Sequence, residues 1–170
     1  MRWLLVALIV VAKFGIPVLI VPFPFAAGWA NFVLDTVDGD LLIPLGLDDD
    51  AYQPIDKAAD WATYVGMAIA ARRWHIRRAV WALFAMRSVG QLLFFLTGAE
   101  IVFFFFPNFL EPLFLIYATI RHFKKERVAE VYVRHRTAIW VFVVAYKLQD
   151  EWVTHVGNID RTDLVTSLFT

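Results

Sequence analysis

The chain has 170 residues, of which 60% are hydrophobic and only 19% charged, and its mean hydropathy is +0.60. This composition excludes an intrinsically disordered chain and is too apolar for an ordinary soluble domain, in which about 25% of residues are charged. The formal net charge is zero and cysteine is absent, so bulk charge gives no reason to expect nucleic acid, and disulfides and thiolate metal sites are excluded. We therefore expect an all-α, polytopic membrane bundle of four to five helices.

The first long apolar stretch covers residues 3–34 and contains a single charged residue, Lys13. It is too long for the apolar region of a signal peptide. We predict a membrane span over residues 14–34, with Lys13 near one interface, because 21 helical residues can cross a hydrocarbon core of about 30 Å. Three prolines predict a kink in this span: Pro17, Pro22 and Pro24.

The later helices follow a polar loop over residues 35–52 and are separated by two basic stretches, residues 72–78 and 121–136. Three are predicted to span the membrane, over residues 54–71, 79–96 and 101–120. A further helix over residues 130–149 has an uncharged part of only ten residues, which predicts a partial span or an interfacial helix. Residues 1–150 thus form one membrane domain, and residues 151–170 form a polar C-terminal tail.

Two charged residues fall inside the predicted spans, Arg87 in the third and Glu111 in the fourth. Each is about 12 residues from the turn near residues 98–99, so both lie at the same depth of an antiparallel hairpin. An unpaired charge at that depth costs several kcal/mol. We therefore predict a buried ion pair between Arg87 and Glu111, which either locks two helices together or forms a wall of a substrate cavity.

The most distinctive feature is a concentration of aspartates, since eight of the eleven lie between residues 35 and 60. Asp35 and Asp38 share one helix face at the end of the first span, and Asp56 and Asp60 share a face at the start of the next. Two helix ends therefore bring four carboxylates to one level of the membrane. Their repulsion favours a hard divalent cation, held by oxygen ligands. The alternative is a solvated acidic loop.

At these residues the sequence resembles the CDP-alcohol phosphatidyltransferase family. Its signature, D-x2-D-G-x2-A-R-x8/9-G-x3-D-x3-D, is split between the end of one membrane helix and the start of the next. Asp35, Asp38 and Gly39 match the first half, and Asp56 and Asp60 match the second after the shorter interval of 18 positions. The resemblance implies that the four aspartates bind Mg²⁺ or Mn²⁺. It also implies that Asp60 is the general base for an acceptor hydroxyl and that Gly39 lets a nucleotide approach the backbone.

The chain departs from the family at three positions of the signature. Leu42 and Ile43 stand where the family has its Ala-Arg pair, and Tyr52 stands where it has its second glycine. The family also usually has six spans, one or two more than this sequence predicts.

The resemblance implies a multi-pass membrane transferase of phospholipid biosynthesis, which moves a phosphoalcohol group from a CDP-linked donor to an alcohol. The alternative is a non-catalytic membrane protein or complex subunit with an acidic, cation-binding loop, so whether the chain is an enzyme stays open. A channel or carrier is a third alternative, ranked last because five or fewer helices need an oligomer to enclose a path. The expected partners are the lipid bilayer and a CDP-linked lipid substrate, with a homodimer left open and no nucleic acid.

The charge distribution and the resemblance predict opposite orientations in the membrane. Basic residues near span ends tend to stay in the cytoplasm, and most of the positive charge lies in residues 72–78 and 121–136. With four spans, both stretches lie on the side opposite the aspartate loop, which predicts that the loop faces outward. The resemblance implies a site facing the cytoplasm, where CDP-activated substrates are found.

Overall fold

The structure is a computed structural model that describes residues 1–155, and the described chain is all-helical. Its helices are α1 (Arg2–Ile20), α2 (Pro24–Leu42), α3 (Asp49–Ala70), α4 (Arg77–Thr97), α5 (Val102–Phe105), α6 (Leu110–Lys124) and α7 (Val128–His155). All except the four-residue α5 have 15 or more residues. The all-α prediction is confirmed, but the described part contains six long helices rather than the four to five predicted.

Breaks beside prolines divide two of the predicted spans, and the first of these breaks adds the sixth long helix. Residues 14–34 do not form one kinked span, because α1 ends at Ile20 and α2 begins at Pro24, whose ring suits the first turn of a helix. Residues 101–120 are divided as well. Phe106 precedes a proline and is therefore disfavoured in a helical conformation, and α6 begins only at Leu110. Each of these two apolar stretches thus contains two helices.

The remaining helix boundaries agree more closely with the sequence. α3 begins five residues before the predicted 54–71, and α4 covers the predicted 79–96 with two extra residues at its start. The predicted helix over residues 130–149 is the central part of α7, which has 28 residues and continues to His155. Residues 151–155 of the predicted polar tail therefore belong to α7, and residues 156–170 lie outside the described residues.

Two of the described helices, α1 and α4, are long and apolar enough to cross a membrane. Large apolar side chains are exposed along both of them: Trp3, Leu8 and Val18 on α1, and Leu92, Phe95 and Leu96 on α4. Extended apolar surface of this kind is unusual on a soluble monomer and marks contact with a membrane or a partner.

Close packing places α1 against α3. A Cβ added to Gly66 of α3 would lie 2.5 Å from the backbone oxygen of Pro17 in α1, so only a glycine allows the two backbones to approach this closely. Ile20 and Met67 are fully buried nearby. This packing holds Lys13, one turn before Pro17, beside the residues of α2 and α3 that carry the aspartates.

Contacts between helices and loops identify the two ends of the bundle. At one end, Arg2 donates from Nε to the carbonyl of Leu45 at 2.5 Å, which fastens the start of α1 to the loop between α2 and α3. At the other end, the guanidinium of Arg121 lies 5.7 Å from the centre of the Trp74 ring, so the α3–α4 turn meets the end of α6. We call this second end the basic end, after its cationic residues: Arg72, Arg73, Arg77, Arg78, Arg121, Lys124, Lys125 and Arg127.

Candidate carboxylate site

Three of the predicted metal ligands lie together where α2 ends and α3 begins. Asp35, Asp38 and Asp56 each offer a carboxylate oxygen, and these oxygens all lie within 4.8 Å of one another. Asp38 is fully buried and Asp56 is nearly so. We call this group the carboxylate site. It exists because residues three apart share a helix face and because the loop between α2 and α3 is short.

An ammonium group from the chain itself lies among these oxygens. Lys13 of α1 donates from Nζ to Asp56 Oδ1 at 2.5 Å and to Asp35 Oδ1 at 3.5 Å, and it also forms an ion pair with Asp38 Oδ2. Only 4% of Lys13 is exposed, a degree of burial that lysine almost never reaches unless it is paired. Sequence reasoning placed Lys13 near the membrane interface and gave it no role. Its isolation within 32 otherwise uncharged residues was the available indication.

Asp60, the predicted general base, lies one helical turn after Asp56 and outside the carboxylate site. Lys57 stands between the two, with its Nζ 2.7 Å from Asp56 Oδ2 and 3.9 Å from Asp60 Oδ2. The same ammonium lies 5.5 Å from the centre of the Phe103 ring, a distance at which a cation–π attraction is expected. The four aspartates therefore have two lysines among them, which leaves two formal negative charges within this group of six side chains.

A small polar cleft adjoins Lys13. Asp35, Asp60, Asn31 and Thr63 contribute to its lining. The Thr63 hydroxyl donates to Asn31 Oδ1 at 3.0 Å, which fixes one wall. The cleft is too narrow to hold a water molecule. Sites that enclose a drug-sized ligand have roughly 300–1,000 Å³, so binding of a nucleotide-linked lipid would require the helices to separate.

Tyr52 fills the space beside Gly39. Its hydroxyl donates to Asp38 Oδ1 at 3.0 Å, and a Cβ added to Gly39 would lie 3.2 Å from that same hydroxyl. Burial, followed by the neighbouring Asp56 and Asp35 carboxylates, raises the pKa of Tyr52 above its usual range, so the hydroxyl stays protonated and can donate. The phenol of Tyr52 thus occupies the space next to Gly39 in which the family resemblance implied a nucleotide.

The ion pair predicted between Arg87 and Glu111 is replaced by a different buried network. Arg87 Nη1 lies 3.4 Å from Glu151 Oε1 and donates to the carbonyl of Phe106 at 2.8 Å. Glu111 Oε2 instead accepts a hydrogen bond from Asn108 Nδ2 at 3.2 Å. The break before α6 puts Glu111 in the first turn of that helix, rather than midway along a longer one, and α7 supplies the partner of Arg87.

The donor set of the carboxylate site fits a hard divalent cation, because three carboxylate oxygens within reach of one ion are typical ligands of Mg²⁺ or Mn²⁺. The same oxygens already contact Lys13 Nζ, so a metal and this ammonium are alternatives at one position. No family model, curated protein or solved structure matches this chain. The functional argument therefore rests on the geometry of the carboxylate site.

Proposed function

We propose that the protein is a multi-pass membrane enzyme that transfers a phosphoalcohol group from a CDP-linked donor to an alcohol, like the CDP-alcohol phosphatidyltransferases that it resembles. The observation that supports this proposal most is the convergence of Asp35, Asp38 and Asp56, from the end of one helix and the start of the next, within 4.8 Å. The described residues also form six long helices, two of them apolar enough to cross a membrane, and six is the usual number of spans in that family. The break between Ile20 and Pro24 supplies the sixth long helix.

In the proposed reaction, the hydroxyl oxygen of the acceptor attacks the phosphorus that joins the donor alcohol to CMP. A new P–O bond forms, the P–O bond to CMP breaks, and CMP leaves with the electron pair. A Mg²⁺ or Mn²⁺ ion held by Asp35, Asp38 and Asp56 would offset the negative charge of the phosphates. Asp60 takes the hydroxyl proton, since it lines the cleft one turn from Asp56 and lies outside the three-carboxylate group.

The direct test is release of CMP from CDP-diacylglycerol by the purified protein, with Mn²⁺ and a panel of small alcohols. Asp60→Asn should lower the rate by about 100-fold or more, the usual contribution of a general base, and Asp56→Asn should do the same by removing a ligand. Asp48→Asn is the matched control, because Asp48 is exposed in the loop before α3. Transfer at the wild-type rate in a variant that carries both changes contradicts the catalytic assignment.

A second candidate, a non-catalytic membrane protein or complex subunit, is favoured by two observations. Lys13 already contacts all three carboxylates, and Tyr52 already fills the space beside Gly39. The charge at the basic end adds to this argument, because basic ends tend to be cytoplasmic and the carboxylate site lies toward the other end, where α2 ends and α3 begins. A transferase that uses CDP-linked donors needs the opposite orientation.

Cysteine labelling separates the two candidates, because the native chain has no background thiol. Asp48→Cys and His75→Cys, both at exposed positions, are treated in intact cells with a membrane-impermeant thiol reagent. Protection of Asp48→Cys with labelling of His75→Cys supports the transferase, and the reverse pattern supports the non-catalytic protein. Gly46, in the same loop, is unsuitable for a cysteine. Its φ is +96°, and a Cβ there would lie 2.5 Å from the Arg2 guanidinium.

A further inference from the structure

Lys13 reaches the carboxylate site from outside the two helices that carry it. The aspartates belong to α2 and α3, and the ammonium comes from α1, 43 residues before Asp56. The position of Lys13 is fixed by the close contact of α1 with α3 at Gly66, and its side chain is 4% exposed. The ammonium is therefore part of the built structure of the site rather than a mobile surface cation.

A lysine ammonium and a divalent metal exclude each other at this position. The ammonium is a donor without a lone pair and cannot coordinate a metal. Two cations held by the same oxygens repel each other strongly where the environment is shielded from water. A metal can occupy the site only after Lys13 Nζ has left it.

We propose that Lys13 is a built-in competitor of the divalent metal, which keeps the carboxylate site closed until its ammonium is displaced from the three carboxylates. This inference rests on the proposed function, since that function is what requires a metal. It adds a residue, Lys13, that controls access of the metal and is not part of the aspartate signature. It also separates two lysines of the same region, because Lys13 contacts all three carboxylates of the site whereas Lys57, which is more exposed, contacts only Asp56 among them.

The test measures Mn²⁺ bound to the purified full-length protein, by electron paramagnetic resonance of the free ion. Lys13→Met should bind one Mn²⁺ per chain about 100-fold or more tightly than wild type, the order expected when a unit charge is removed from a few ångströms away. Lys57→Met is the matched control and should shift the affinity less. Equal affinities of wild type and Lys13→Met overturn the inference.

Thermal unfolding of the same proteins with and without Mn²⁺ supplies a second measurement. Lys13→Met leaves three carboxylates without their ammonium, so added Mn²⁺ should raise its melting temperature more than that of wild type. If Lys13→Met is not recovered folded, two other variants are compared: Asp38→Asn alone, and Asp38→Asn combined with Lys13→Met. The combined variant lacks one positive and one negative charge, so its remaining charges stay balanced as in the wild type. Tighter Mn²⁺ binding by the combined variant supports the inference, and equal binding overturns it.

The outcomes also distinguish this inference from the proposed function. Tight Mn²⁺ binding by Lys13→Met, together with no CMP release by any variant, supports the competition and rejects the transferase. CMP release by a wild type that binds Mn²⁺ as tightly as Lys13→Met supports the transferase and overturns the competition. Absence of Mn²⁺ binding from both the wild type and Lys13→Met overturns both.

Discussion

The buried contact between Arg87 and Glu151 allows the sharpest test of the structure, because the sequence predicted a different partner for the same arginine. Both residues are at most 4% exposed, and they belong to α4 and α7, 64 residues apart. We consider Arg87→Met, Glu151→Gln and the variant with both changes. Removing one member of a buried pair leaves the other charge without compensation and typically lowers the free energy of unfolding by about 3–5 kcal/mol.

The surroundings of the pair set the expected values within that range. Glu151 also accepts the backbone N–H of Asn108 at 2.9 Å and lies 3.9 Å from Lys147 Nζ, so Arg87→Met leaves it partly compensated. We therefore expect a loss near 3 kcal/mol for each single change, at the lower end for buried pairs. The double variant should lose less than the two single losses together, with a coupling free energy of about 1–3 kcal/mol.

The assay is denaturant unfolding in detergent micelles, followed by tryptophan fluorescence. The control cycle combines Arg87→Met with Glu111→Gln, because Glu111 is also buried but its carboxylate contacts the Asn108 side chain rather than Arg87. It should give a smaller coupling than the Glu151 cycle. Strict additivity of the Arg87 and Glu151 changes, or a larger coupling to Glu111, would refute the pairing and restore the one that the sequence predicted.

Two further predictions concern the packing of α1 and the hydrogen bond of Tyr52. Gly66→Ala should lower the free energy of unfolding by about 1–3 kcal/mol, the usual cost of overpacking, because its Cβ would meet the backbone oxygen of Pro17 at 2.5 Å. Gly15→Ala, in the same helix pair but with no atom within 4 Å, should instead stabilise the protein by about 0.5–1 kcal/mol, and equal effects of the two changes contradict this packing. Tyr52→Phe should cost about 1.5–3 kcal/mol, as expected for a hydrogen bond to a charged group, and a loss below about 0.5 kcal/mol would mean that the hydroxyl does not donate to Asp38.

The helices were predictable from the sequence wherever local pattern decides the structure. α3 and α4 follow from apolar stretches of the right length between polar or basic segments. The shared face of Asp35 and Asp38 follows from their spacing alone. The break between α1 and α2 does not follow, because a proline-rich apolar run can form either one kinked helix or two helices. The choice depends on whether neighbouring groups satisfy the freed carbonyls, and that is a property of the fold.

Contacts between distant residues were the second part that the sequence could not supply. The predicted pairing of Arg87 with Glu111 assumed a simple hairpin of two long helices. The short α5 and the break that follows it instead put Glu111 in the first turn of α6. The same argument had no means of assigning Glu151, which the sequence placed in a polar tail. Lys13 was overlooked for a related reason, because its contact with Asp56 joins residues 43 apart, on α1 and α3, and the sequence prediction had merged α1 with α2.

Two side chains outside the matched residues of the signature, Tyr52 and Lys13, meet at one residue of the carboxylate site, and this makes them parts of one arrangement. Asp38 is fully buried, and a carboxylate in that position is costly unless both of its oxygens have partners. Tyr52, at the position of the family's second glycine, donates to Oδ1, and Lys13 forms an ion pair with Oδ2. A motif that had merely decayed would leave this aspartate uncompensated. The contacts instead keep it stable without a metal, so a metal or a nucleotide can enter only by displacing Lys13 or Tyr52, whichever of the two candidate functions is correct.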